Sequence, residues 1–154
     1  MAGRETPGTK AARAAGVDFT VHEYAHDPKA ASYATEAAEA LGIDPARVFK
    51  TLVVSVGDEL VVCVVPATGR LDLKAAGKRA AMADPSRAEK VTGYVTGGIS
   101  PLGQRRRLRT LVDASASAFD TVFVSAGRRG LEIELTPGDL VQLTGADLRP
   151  LLGG

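Results

Sequence analysis

Cysteine is nearly absent from this 154-residue chain, where Cys63 stands alone. A single thiol excludes an intramolecular disulfide and a thiolate metal cluster, and it suits a reducing compartment. Net charge is nearly absent too: 19 Lys and Arg offset 18 Asp and Glu, leaving a formal +1. That balance excludes a broadly cationic surface of the kind that coats duplex nucleic acid, so any basic footprint must be local. Long apolar runs are missing. The longest, Leu60 to Pro66, is far too short to cross a bilayer, and MAGRETPGTK at the start has no apolar signal core. The chain holds no Walker or dinucleotide glycine motif, and neither Ser100 nor Ser125 lies in Gly-x-Ser-x-Gly, so a hydrolase triad is unsupported. These absences predict a soluble, cytoplasmic protein with no membrane contact, no metal and no cofactor.

What is present suffices for one domain. Apolar residues make up 45% of the chain, enough for a core that buries roughly two-thirds of the unfolded surface. Residues 1–9 carry no periodicity and are expected to be a flexible lead-in to a domain spanning 10–154. A short alanine-rich helix is predicted from Lys10 to Gly16, and an alternating strand from Phe19 to Tyr24 that runs into a turn at His26-Asp27-Pro28. Helix formers fill Ser32 to Leu41, and Asp44-Pro45 opens a further helical turn. Val48 to Val56 and Glu59 to Pro66 are valine-rich runs parted by Gly57-Asp58, which predicts an antiparallel hairpin at the centre of the sheet. Asp72 and Asp84 read as caps of two more helices. Strands are expected at Tyr94 to Val95, Thr110 to Asp113, Thr121 to Ser125 and Glu132 to Leu135, with a terminal helix from Pro137-Gly138-Asp139. Without strict βαβ alternation this order predicts an α+β domain with a mixed, strongly curved, barrel-like sheet flanked by helices.

Three places could carry chemistry. In Gly93 to Arg107, GYVTGGISPLGQRRR, the Gly97-Gly98 pair frees backbone amides for close approach, Pro101 stiffens the exit, and Arg105, Arg106, Arg107 and Arg109 follow at once. Such a loop suits an oxyanion or a phosphate, although Gly-Gly-x-Ser-Pro is also an ordinary turn. Lys50 interrupts the apolar strand VFKTLVVSV on the face opposite Phe49 and Thr51. It either guards a sheet edge or points into a cavity with an anionic ligand, and the strand's hydrophobicity favours the cavity. Ser125 to Gly130 is a turn with two arginines at its tip, after which Glu132 could orient a substrate amine or hydroxyl. His22 and His26 flank Tyr24 near Asp27, but no third ligand shares their spacing, so structural hydrogen bonding is the expectation. Cys63 reads as inert strand packing.

Taken in order, HEYAHDP from His22, VFKTLV around Lys50, LDLK at Leu71 to Lys74, MADP at Met82 to Pro85, TGYVTGGISPLGQRRRL from Thr92 and VSAGRRGLEIEL from Val124 resemble the YbaK family of aminoacyl-tRNA deacylases, relatives of the editing domain found in some prolyl-tRNA synthetases. The resemblance implies that family's fold and an enzyme that removes cysteine mistakenly attached to proline tRNA, acting in a transient ternary complex with prolyl-tRNA synthetase. It implies a catalytic set of Lys50, Gly97 and Gly98 and a substrate pocket of Tyr24, Thr51, Ile99, Ser100, Pro101, Ser125 and Glu132. Arg105, Arg106 and Arg107 are expected to touch tRNA. Glu132 stands where a close relative has aspartate. The family mechanism is substrate-assisted, the cysteine thiol attacking its own ester carbonyl, which explains why no protein nucleophile stands out. Two alternatives are a noncatalytic tRNA- or synthetase-binding module and a deacylase for another amino acid such as alanine.

Overall fold

In the computed structural model, which describes residues 5–25 and 33–153, cap-then-proline signals set most of the helix starts. The first helix, α1 (Pro7–Ala14), opens three residues before the expected Lys10, because Thr6 and Thr9 form a reciprocal capping box around Pro7. Thr6 and Thr9 are buried, and the Thr6 hydroxyl donates to the Ala126 carbonyl. Strand β1 (Thr20–Glu23) and helix α2 (Tyr33–Leu41) follow; the His26 to Pro28 turn lies outside the described residues. A 3-10 turn capped by Asp44 leads into the hairpin of β2 (Phe49–Val56) and β3 (Glu59–Pro66). Its two-residue turn pairs Val56 with Glu59 and places Gly57 at φ 63°, as the glycine requires.

Asp72 caps a single helical turn, α3 (Leu73–Ala76), and the two-residue strand β4 (Ala81–Met82) precedes helix α4 (Pro85–Thr92), whose cap Asp84 accepts from the Arg87 amide at 3.1 Å. Then come β5 (Arg109–Asp113), β6 (Val122–Arg128), β7 (Leu131–Leu135), α5 (Pro137–Thr144) and β8 (Asp147–Arg149). Tyr94–Val95 is no strand. Its backbone is held in a loop by Thr96 N–H donating to Glu89 Oε2 at 2.8 Å, and the Tyr94 hydroxyl turns inward to donate to the Leu102 carbonyl at 2.6 Å.

The strands form two sheets, in the orders β1-β7-β6 and β4-β2-β3-β5-β8, instead of one barrel-like sheet. Between β2 and β6 the only described pairing is the bridge Val48 to Phe123, and a bulge bends β6 between Ser125 and Arg128, so neither sheet closes. The larger sheet is mixed: β3 pairs with β5 and β5 with β8 in parallel, the rest antiparallel. Alternation along β3 buries both of its faces. Val62 and Val64 meet Val124, Leu131 and Ile133 of the smaller sheet, while Val61, Cys63 and Val65 pack under Ala76 and Leu151. Cys63 is therefore a core residue, its thiol pushed up to about 11 by burial.

Candidate functional site

A cavity of about 440 Å³ opens between β2, the start of α4, the glycine loop and the β6–β7 hairpin. From β2 it takes Phe49, Lys50 and Thr51; from the loop, Thr96, Gly97 and Ile99; from the smaller sheet, Tyr24, Ser125 and Glu132. Seven of the expected residues thus converge from segments far apart in the chain. Lys50 is half-buried and, among the described residues, has no carboxylate within ion-pair distance. Among the described residues the buried Thr51 hydroxyl has no hydrogen-bond partner.

The pairing of β1 with β7 explains the opposite wall. His22 faces Glu132 across the ladder, and Ser125 faces Glu132 from β6, which puts these side chains and Glu134 on one face of the small sheet. The two glutamates then diverge. Burial raises Glu134, but hydrogen bonds from Thr121 and His22, with the charges of His22 and Arg47, outweigh it and hold the carboxyl below its ordinary value. Glu132 is 7% exposed and has no hydrogen-bond partner among the described residues, so burial pushes its carboxyl up to about 8. Two carboxyls two residues apart are thereby split into a structural anion and a neutral pocket acid. Tyr24, half-buried beside Glu132, is raised to about 12, first by burial and then by that carboxyl's charge. His22 Nε2 lies 2.8 Å from Glu134 Oε1, a structural contact; His26 lies outside the described residues. Among the described residues no group of three His, Cys, Asp or Glu could hold a metal.

The glycine loop divides by function of position. Gly97 sits at φ 93° on the pocket surface. Gly98 is buried behind it, where a Cβ would come within 3.0 Å of the Arg128 Cα, so this glycine lets the hairpin backbone pack against the loop. Ser125 clamps the two together, its hydroxyl donating to the Gly98 carbonyl and accepting from the Gly127 amide, each at 3.1 Å. Ser100 and Pro101, expected in the pocket, do not line it. Both are buried behind the loop, and the Ser100 hydroxyl accepts from the Leu102 amide at 3.1 Å, because the residues after Ile99 turn inward to cover α1. Sequence reading passed over Ala88, Thr96, Arg128 and Arg129 as lining residues. Their signal was present in MADP, which starts α4, and in the arginine tip of the hairpin. Arg128 pairs with Glu23 at 3.2 Å, and Arg129 reaches the Thr96 carbonyl at 3.5 Å.

The arginine run also divides. Arg106 and Arg107 join Arg87 and Arg109 in a separate cleft of about 260 Å³, with Asp58 and Glu59 at its edge. None of the four guanidinium groups has a carboxylate within 4 Å among the described residues. Arg105 instead leans over Gly93 and donates to the Lys90 carbonyl at 3.5 Å. Helix α4 stands between the cavities: Pro85 and Ala88 face the first, Arg87 and Val91 the second.

Against known proteins, the family model of the aminoacyl-tRNA editing domain matches residues 27–143. The chain is 40% identical over 118 residues, 72% of its length and 71% of the relative's, to the Enterococcus faecalis protein named "Putative Cys-tRNA(Pro)/Cys-tRNA(Cys) deacylase EbsC". It is 32% identical over 114 residues, 71% of its length and 73% of the relative's, to YwhH of Bacillus subtilis. A solved structure described as "a putative trans-editing enzyme for prolyl tRNA synthetase" superposes with TM-score 0.81 at 26% identity, covering 97% of this chain and 99% of the other. The structure of the protein APE2540 shares the fold, with TM-score 0.84 at 24% identity over 96% of this chain and 100% of the other.

Proposed function

The chain belongs to the family of aminoacyl-tRNA editing domains, and on that premise we propose that its 440 Å³ cavity removes cysteine mischarged onto proline tRNA, beside prolyl-tRNA synthetase. One observation carries the reading: the cavity joins a lysine without a described carboxylate partner to a positive-φ glycine and a buried glutamic acid, yet among the described residues it holds no side chain activated as a nucleophile. The Ser125 hydroxyl is occupied by the loop and hairpin backbones, and the Cys63 thiol is buried in the core. A site of this composition can orient and stabilise charge, which suits a reaction whose attacking group arrives with the substrate.

In the proposed reaction the cysteinyl sulfur attacks its own ester carbonyl carbon. A carbon–sulfur bond forms, the bond from that carbon to the ribose oxygen breaks, and the thiol proton passes to the departing oxygen, giving free tRNA and a cyclic thiolactone. Lys50 holds the acceptor-end ribose or phosphate, the Gly97 amide faces the oxyanion, and Glu132 receives the substrate amine, whose positive charge favours ionisation of the carboxyl. The cleft of Arg87, Arg106, Arg107 and Arg109 meets tRNA phosphates across α4 without reading sequence. Release of amino acid from proline tRNA charged with cysteine, alanine, serine or proline tests the reading. Cysteine should be released fastest. Preferential release of alanine would assign another substrate, and release of none would leave a binding module.

A further inference from the structure

Lys50, Leu52 and Met82 line two cavities at once. Besides the aminoacyl pocket they border an open groove of about 540 Å³ whose other walls include Thr68, Arg70, Leu71 and Leu73. The groove occupies the outer face of the larger sheet, where Leu52, Leu71 and Leu73 form part of the packing around α3. Its rim is polar and charged: Thr68 and Arg70 are exposed, and Arg70 has no described carboxylate partner. Met82, 53% exposed, leaves a large apolar side chain in solvent where the two cavities meet.

Among the described residues the strip between them is an open sheet edge. Strand β4 pairs with β2 only at Val54 and Ser55, and no described strand pairs on that side with Phe49 to Val53. Because the Val53 carbonyl accepts from Ala83 N–H at 3.0 Å, alternation points the Thr51 amide and carbonyl the same way, past the end of β4. The junction therefore offers a cation, a main-chain donor and a main-chain acceptor between the aminoacyl pocket and a more open groove with an aliphatic floor.

We infer that this groove seats the terminal nucleoside of the charged tRNA, its base against Leu52, Leu71, Leu73 and Met82 and its 5′-phosphate at Arg70, with Lys50 at the ester that joins the two compartments. The inference rests on the deacylase reading above. An aminoacyl ester has the matching form, a small polar group joined through a ribose to a planar base. Aliphatic surface covers a base face by the hydrophobic effect, and a guanidinium on the rim pairs with a phosphate.

The test is titration of the isotope-labelled protein with adenosine 5′-monophosphate and with adenosine, followed by amide chemical shifts. Saturable shifts should appear at Thr68 to Leu73 and Met82 with both probes. The monophosphate should bind more tightly, and Arg70→Ala, on an exposed turn, should weaken it by about tenfold while leaving adenosine unchanged. Shifts confined to Thr96 to Gly98 or to Arg106 to Arg109, or no saturable shift, would overturn the inference. Shifts in the groove without release of any amino acid from tRNA would keep the nucleotide seat and reject the deacylase; release without such shifts would do the reverse.

Discussion

Glu132 and Lys50 set the character of the pocket, and each can be tested alone. The folded protein holds the Glu132 carboxyl near 8 against an ordinary value of 4.5, so the unfolded chain gives up this proton more readily. Stability linked to the group is therefore complete below about pH 4.5 and declines until the pH has risen through about 8. Glu132→Gln removes that decline. Urea unfolding from about pH 5 to about pH 9 should show the variant gaining on the wild type as pH rises, by at most about 5 kcal/mol at 1.4 kcal/mol per pKa unit. A difference independent of pH would mean the carboxyl is not held neutral. Lys50→Ala should abolish most of the deacylation with little change in melting temperature, because a half-buried cavity lysine adds little to the core. Full activity would remove Lys50 from the mechanism. Both residues were legible in sequence, Lys50 because a charge interrupts an apolar strand. The neutrality of Glu132 was not, because it depends on the neighbours that leave this glutamate buried while Glu134 two residues on is hydrogen-bonded.

The element that shapes the reaction is the glycine loop. Gly97 holds φ 93°, a conformation that an L side chain adopts only under strain. Gly97→Ala should therefore shift the loop and lower kcat/KM on the order of a hundredfold, the scale of losing one oxyanion donor. Near-native turnover would reduce the loop to a turn. The β2–β3 hairpin was legible because Gly57-Asp58 fixes its turn and valine fills its strands. The inward turn at Tyr94 was not, because it is set by hydrogen bonds to Glu89 and Leu102 that leave no local pattern. Strands β4 and β8, of two and three residues, are too short to show alternation. The start of α1 could have been read from Thr6-Pro7 and Thr9, the same cap-and-proline logic that placed α4.

At the scale of the whole molecule, near-zero net charge makes the local cation cleft matter. Neutralising Arg87, Arg106 and Arg107 together should weaken tRNA binding for every sequence and flatten its salt dependence, since the slope of log affinity against log salt falls by roughly one unit for each phosphate no longer neutralised. An unchanged slope would reject phosphate binding by this cleft. The arginine run was visible in the sequence, but the separation of Arg105 from Arg106 and Arg107, and the recruitment of Arg87, follow from how α4 meets β5. Two separate sheets in place of one curved sheet likewise reflect the single Val48 to Phe123 bridge and the β6 bulge, neither of which composition encodes. The central claim is that the substrate supplies its own nucleophile within a pocket that supplies geometry and charge. Its most direct test compares wild-type cleavage of cysteinyl-tRNA(Pro) with that of the S-methylcysteinyl analogue, which lacks an ionisable thiol but adds little volume. Release of tRNA and thiolactone should be rapid from the first and almost nil from the second; rapid cleavage of the methylated analogue would contradict a substrate-borne nucleophile.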